Sequence, residues 1–136
     1  LSAMDSTTAA ISAYSRYLIL QPSDTSVYML RSALRKQVGD TVGAVADIEA
    51  ALALDPHSAS ALNSRGVLFL ERKQYSKALG DFSEVLSTDA RNAMVRYNLG
   101  VAYKFLGDDK SACNEWKRAA RDGDTSAQEA LKKFCK

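Results

Sequence analysis

Apolar and polar positions along this chain fall into a pattern that returns every 34 residues. Sliding the sequence against itself by that interval places Ala10, Ala44, Ala78 and Ala112 in one column. Four residues on, Tyr14, Ile48, Phe82 and Trp116 form a bulky column, and Leu18, Leu52, Leu86 and Ala120 form another. Ser32, Gly66 and Gly100 make a column of small residues, and Tyr28, Leu62 and Arg96 a less regular one. Side chains four apart share one face of a helix, so the alanine and bulky columns line a single stripe. A small residue on one helix lets its neighbour approach closely, and the bulky residue fills the space alongside. One such unit cannot bury its apolar face alone, whereas stacked copies can.

The punctuation between apolar runs has the same period. Asp55-Pro56 closes AALALDP, Pro22 closes YLILQP and Asp89-Ala90 closes EVLSTDA. Helices are therefore predicted at 25–37 with 41–54, 59–72 with 75–88, and 93–106 with 109–121, in hairpins spanning 25–58, 59–92 and 93–126. Gly39-Asp40 and Gly107-Asp108 mark two turns inside hairpins. There glycine takes a left-handed C-cap and aspartate caps the next helix. Ser58 and Asn92 are expected N-caps between hairpins. Residues 6–24 hold the second helix of an incomplete hairpin, helical over 6–21 and capped by Asp5 or Ser6. A last helix, 126–135 within a capping segment 126–136, starts at Thr125-Ser126-Ala127-Gln128, which has capping-box spacing. Its lysines face water, while Leu131 and Phe134 can cover the end of a stack. No comparable cap stands at the other end, and the opening LSAMDS reads as an internal cut. Upstream continuation is favoured over an array that ends at residue 6.

Composition narrows the function more than the fold. The chain has 136 residues, which suits a single domain, with 46% hydrophobic and 25% charged residues. Two prolines and many alanines agree with an all-α fold. A net charge of +2 leaves no basic stripe for nucleic acid. No uncharged apolar stretch reaches the roughly 18 residues needed to enter and span a bilayer.

Three sets of residues carry candidate chemistry. Arg31 and Asp47 stand 16 apart, as do Arg65 and Asp81, and each pair straddles its turn symmetrically. The two side chains should face each other as a structural ion pair; a charge pair for a ligand is the other reading. The third hairpin has Leu99 and Glu115 at these places, so the arginine is lost where aspartate becomes glutamate. Cys113 and Cys135 fall almost level on two antiparallel helices. They either form a disulfide, in an oxidising compartment, or remain two buried thiols. Zinc is not expected with two cysteines and a distant histidine. That histidine, His57, follows Asp55-Pro56 in a loop and has no partner spacing for acid–base or nucleophilic chemistry. No enzyme activity, cofactor or metal is expected.

The columns resemble the tetratricopeptide repeat (TPR) family. Leu62, Gly66, Phe69, Ala78, Phe82 and Pro56 stand where its pattern places a large apolar residue, a small one, an aromatic, alanine, an aromatic and proline. The likeness covers about residues 5–126, and the 34-residue register distinguishes it from the 35-residue pentatricopeptide pattern. The resemblance implies a right-handed α-α superhelix, a solenoid of helical hairpins with a C-terminal capping helix. It also implies a scaffold that binds a protein or peptide along an inner groove formed by the first helices. The family's groove offsets map to Ser26, Met29, Ala33 and Lys36; to Ser60, Asn63, Val67 and Leu70; and to Met94, Tyr97, Val101 and Lys104. This surface is largely apolar, as partner sites often are. The lysine–asparagine clamp with which some members hold chaperone tails would fall on Met29, Ala33, Ser64, Met94 and Asn98, and these residues do not match it. A self-associating solenoid joined through its open N-terminal end, or an accessory domain of a larger protein, are the alternatives. The stretch ACNEWKRAARDGDTSAQEALKKFC also resembles the tails of bacterial repeat proteins, often exported or envelope-associated, which tilts the expected location toward the periplasm.

Overall fold

Each punctuation mark in the sequence becomes a helix end. The computed structural model describes residues 3–136; Leu1 and Ser2 of the opening LSAMDS lie outside the described residues. Eight helices and no strand occur among them: α1 (Ala3–Leu20), α2 (Thr25–Gln37), α3 (Thr41–Leu54), α4 (Ala59–Glu71), α5 (Tyr75–Thr88), α6 (Ala93–Phe105), α7 (Asp109–Arg121) and α8 (Thr125–Phe134). Carboxylate, amide and hydroxyl oxygens hold the first turns of most of them by accepting hydrogen bonds from backbone N–H groups. Asp40 takes the N–H of Gly43 at 2.9 Å, Asp108 that of Ser111 at 3.1 Å, and Asn92 that of Val95 at 3.1 Å. Ser58 takes the N–H of Ala61 at 3.2 Å. Asp24 caps α2 and is also bonded by the hydroxyls of Ser26 and Tyr17, which hold its carboxyl below the usual range.

Two expected caps are corrected. The helix α1 begins at Ala3, so Asp5 and Ser6 lie inside its first turn and not ahead of it. The cap of α8 is Asp124, which accepts from the N–H of Ala127 at 2.8 Å, and Thr125 is already helical. The reason is local: Gly123, at φ 95°, turns the chain as Gly39 does at 85° and Gly107 at 83°, and the aspartate that follows each is placed to cap. Gln128 instead donates to the carbonyl of Ala120 at 3.3 Å. In the middle hairpin the same place is held by Lys73, at φ 61°, and the following Gln74 makes no side-chain cap.

The packing groups into two compact units that divide between Ala61 and Leu62. In the first, α1 packs on α2 and α2 on α3, around Leu18, Ala44, Ile48, Ala51 and Leu52. In the second, α5 to α8 pack in chain order on their neighbours, and Arg65 and Gly66 meet residues of α5 from α4. Its core runs through Leu62, Leu68, Ala78, Phe82, Val85, Val95, Leu99, Ala102, Ala112, Trp116 and Ala119.

The small and bulky columns explain each other. A Cβ built on Gly66 would stand 2.5 Å from Phe82 Cε1, and one on Gly100 2.6 Å from Trp116 Cδ1. No real Cβ tolerates that approach, so glycine is needed wherever an aromatic ring lies across the hairpin. In the first hairpin the bulky residue is Ile48, and there Ser32 fits, donating its hydroxyl to the carbonyl of Ala44 at 2.9 Å. The column residues of α1 are different. Ala10 and Tyr14 are only half-buried, whereas Ala44 and Ile48 are 0% and 1% exposed.

Candidate functional site

The charged residues singled out in the sequence face each other across their turns. Arg31 Nε donates to Asp47 Oδ2 at 3.0 Å, and Arg65 Nη2 to Asp81 Oδ1 at 2.8 Å. Arg35, one turn after Arg31 on the same face, adds a second guanidinium to Asp47 at 3.2 Å, and Arg31 Nη1 reaches the Ser15 hydroxyl of α1 at 3.0 Å. The Asp47 hydrogen bonds hold the Arg31 proton more tightly than usual. Both aspartates are buried, so these groups have little access to a ligand.

The third hairpin departs from the expected loss of its arginine. Arg96, three residues before Leu99 and one helical turn away, donates to Glu115 at 2.7 Å and to the carbonyl of Ala90 at 2.6 Å. The longer glutamate lets the guanidinium come from the previous turn. Looking one turn either side of each column position would have found it, because residues three apart share a face.

Of the inner-face residues, Met29 is half-buried on α2, and Ala33 and Lys36 are exposed there. They belong to the first unit. In the second unit Asn63, Val67 and Leu70 on α4, and Tyr97, Val101 and Lys104 on α6, are half-buried, while Met94 is exposed. A hydrogen bond from Asn98 Nδ2 to Asn63 Oδ1, 2.9 Å long, joins α4 to α6; the sequence offered Asn98 only as a clamp position that does not match. Tyr97 and Val101 also pack against the core around Trp116. The indole N–H donates to the Tyr97 carbonyl at 3.2 Å.

The C-terminal end is built around that same ring. Trp116 lies 6.4 Å from the Tyr97 ring and 5.8 Å from the Phe134 ring, centre to centre. Cys113 and Cys135 are joined by a disulfide with Cα atoms 5.9 Å apart, inside the usual range for such bonds. A cavity of about 230 Å³ is lined by Tyr97, Ser126, Glu129, Ala130, Lys133 and Phe134. Among the described residues no group of three His, Cys, Asp or Glu is placed to hold a metal. None of the described helices is long and apolar enough to cross a membrane. His57 lies exposed in the loop before α4, as its position predicts.

Comparison with known proteins places the chain among helical repeats. The profile of the tetratricopeptide repeat family matches residues 3–129. Curated relatives include BBSome complex member bbs-4 of Caenorhabditis elegans, 24% identical over 108 residues, which cover 77% of this chain and 23% of that protein. The general transcriptional corepressor trfA of Dictyostelium discoideum is 29% identical over 94 residues, or 69% of this chain and 7% of that one. The chain thus spans less than a quarter of the length of either relative. Among solved structures, MamA from Desulfovibrio magneticus RS-1 aligns with a TM-score of 0.86 at 21% identity, over 95% of this chain and 74% of that one. The first TPR of Spaghetti bound to an HSP90 peptide aligns with a TM-score of 0.75 at 15% identity, over 81% and 89%. At these identities the structural likeness concerns the fold.

Proposed function

The chain belongs to the tetratricopeptide repeat family, and on that premise we propose that it is a protein-binding module whose inner face on α4 and α6 receives an extended or helical segment of a partner. The observation that carries this reading is the contrast between columns. Ala78, Phe82, Ala112 and Trp116 are 0–2% exposed and serve the frame, while Asn63, Val67, Leu70 and Met94 keep open surface on two helices joined by the Asn98–Asn63 hydrogen bond. The apolar side chains give contact area, and the amide pair gives a fixed polar point for orientation. Met94, 55% exposed, is flexible enough to adapt to the shape of a partner. On α2, Met29, Ala33 and Lys36 are proposed to serve the same role in the first unit.

Peptides selected from a displayed random library on the wild-type protein, then titrated against Leu70→Glu and Met94→Glu variants, test this surface. A loss of about tenfold or more in both variants is expected, since a charge in an apolar contact is poorly tolerated. Affinity unchanged in both would overturn the assignment.

A second reading has its own observation. The half-buried Ala10 and Tyr14 of α1 occupy columns that are fully buried in the later hairpins, so α1 offers a face on which another copy would pack. Light scattering over a concentration series separates the two, because a strict monomer excludes self-association. The disulfide supports a location where thiols are oxidised.

A further inference from the structure

From the first turn of α7 onward the sequence sets lysines around a cysteine. Lys110 and Lys117 are seven residues apart, two turns on one face of the helix, and Cys113 lies between them on that face. The disulfide to Cys135 draws the C-terminal end of α8 onto the same face, bringing Phe134 and Lys136 with it. The result is an open cavity of about 390 Å³, lined by these residues and Asp109. Its apolar floor is the disulfide and the Phe134 ring, which is 45% exposed.

The charge of the rim is one-sided. Lys110, Lys117 and Lys136 line the cavity, and its one acidic side chain, Asp109, is already engaged by Lys104 at 3.1 Å. The Phe134 ring attracts further cations to this end of the helix pair: Lys133 Nζ lies 5.3 Å from its centre, and Lys104 Nζ, the partner of Asp109, 5.0 Å. A cavity with an apolar floor and a cationic rim complements a chain segment that presents an apolar side chain between carboxylates.

We propose that this end of α7 and α8 is a docking surface for an acidic segment of a partner protein, separate from the inner face of α4 and α6. Nucleic acid fits it less well. The cations cluster at one helix pair and do not form a stripe that would follow a phosphate backbone. Lysine ammonium groups serve as point charges for single carboxylates.

The test is fluorescence anisotropy with a fluorescein-labelled peptide of alternating glutamate and leucine, at low salt, on the oxidised protein. The peptide should bind more tightly than a lysine–leucine peptide of equal length. The Lys110→Glu/Lys117→Glu double variant should weaken it by about tenfold or more, each exposed charge contributing modestly. Both lysines are exposed, so the variant keeps its fold, checked by circular dichroism. Reduction of the disulfide should also weaken binding by releasing Phe134 and Lys136, whereas Arg72→Glu, a charge reversal at an exposed residue outside both surfaces, should leave it unchanged. Equal affinity for the two peptides, unchanged binding in the double variant or after reduction, or tighter binding of an oligothymidylate would overturn the proposal.

Discussion

Lys73 sits where the two neighbouring hairpins have glycine, and it adopts their left-handed conformation at φ 61°. An L side chain there crowds its own carbonyl, at a cost of roughly 1–2 kcal/mol that glycine avoids. Glycine gives back part of the gain through the greater freedom of the unfolded chain. Lys73→Gly is therefore expected to stabilise the protein by about 1 kcal/mol, read as a shift in denaturant midpoint at constant slope. A cap responds to pH where its carboxyl is perturbed. The Ser111 hydroxyl, and then its backbone N–H, hold Asp108 below the usual carboxylate range. Its folded pKa is thus lower than its unfolded one. The cap's contribution is full above the unfolded value, about 3.9, and is lost as pH falls through the folded value. The melting temperature of an Asp108→Ala variant should trail the wild type at neutral pH and converge on it in acid.

Between elements, direct cross-links do what a small stack of short helices cannot do by propensity alone. The helix α8 has ten residues, too few for independent stability in water. It is held by burial of Ala127 and Ala130 beside Trp116, by the Asp124 cap, and by the disulfide to α7. That bond closes a loop with a sequence separation of 22, for which chain entropy predicts about 3 kcal/mol. Reduction should lower stability by roughly that amount, with the loss of protection concentrated in α8. Hydrogen exchange followed by mass spectrometry, with and without a reductant, reads both the size and the place. Uniform loss along the chain would contradict the role assigned to the bond.

At the scale of the molecule, stability in a repeat array is a sum of local units and their neighbours, so it need not be uniform. Within the first unit, α3 buries Ala44, Ile48 and Ala51 to 0–1% exposure, while the equivalent Ala10 and Tyr14 of α1 remain half-buried. Amides of α1 should therefore exchange well before those of α3 in native conditions. If added protein concentration protects α1 selectively, self-association through that face gains support; if it does not, the peptide-binding reading stands alone.

The sequence by itself determined the elements and their register. The 34-residue columns, the Gly-Asp turns and the Ser58 and Asn92 caps set helix ends to within a residue or two for most of the chain. These signals are local, a matter of which backbone angles and hydrogen bonds a few neighbouring residues prefer. The 16-residue spacing also carried the Arg31–Asp47 and Arg65–Asp81 pairs, because a symmetric hairpin turns sequence distance into proximity. Only the tertiary structure decided the rest. Arg96 reaches Glu115 from a different turn, Asn98 finds Asn63 in another hairpin, and Phe134 gathers Lys104 and Lys133 around one ring. Each of these depends on how far a flexible side chain extends and on which neighbour it meets. A column pattern records which positions face a partner helix, but not how long side chains are shared among several neighbours at once.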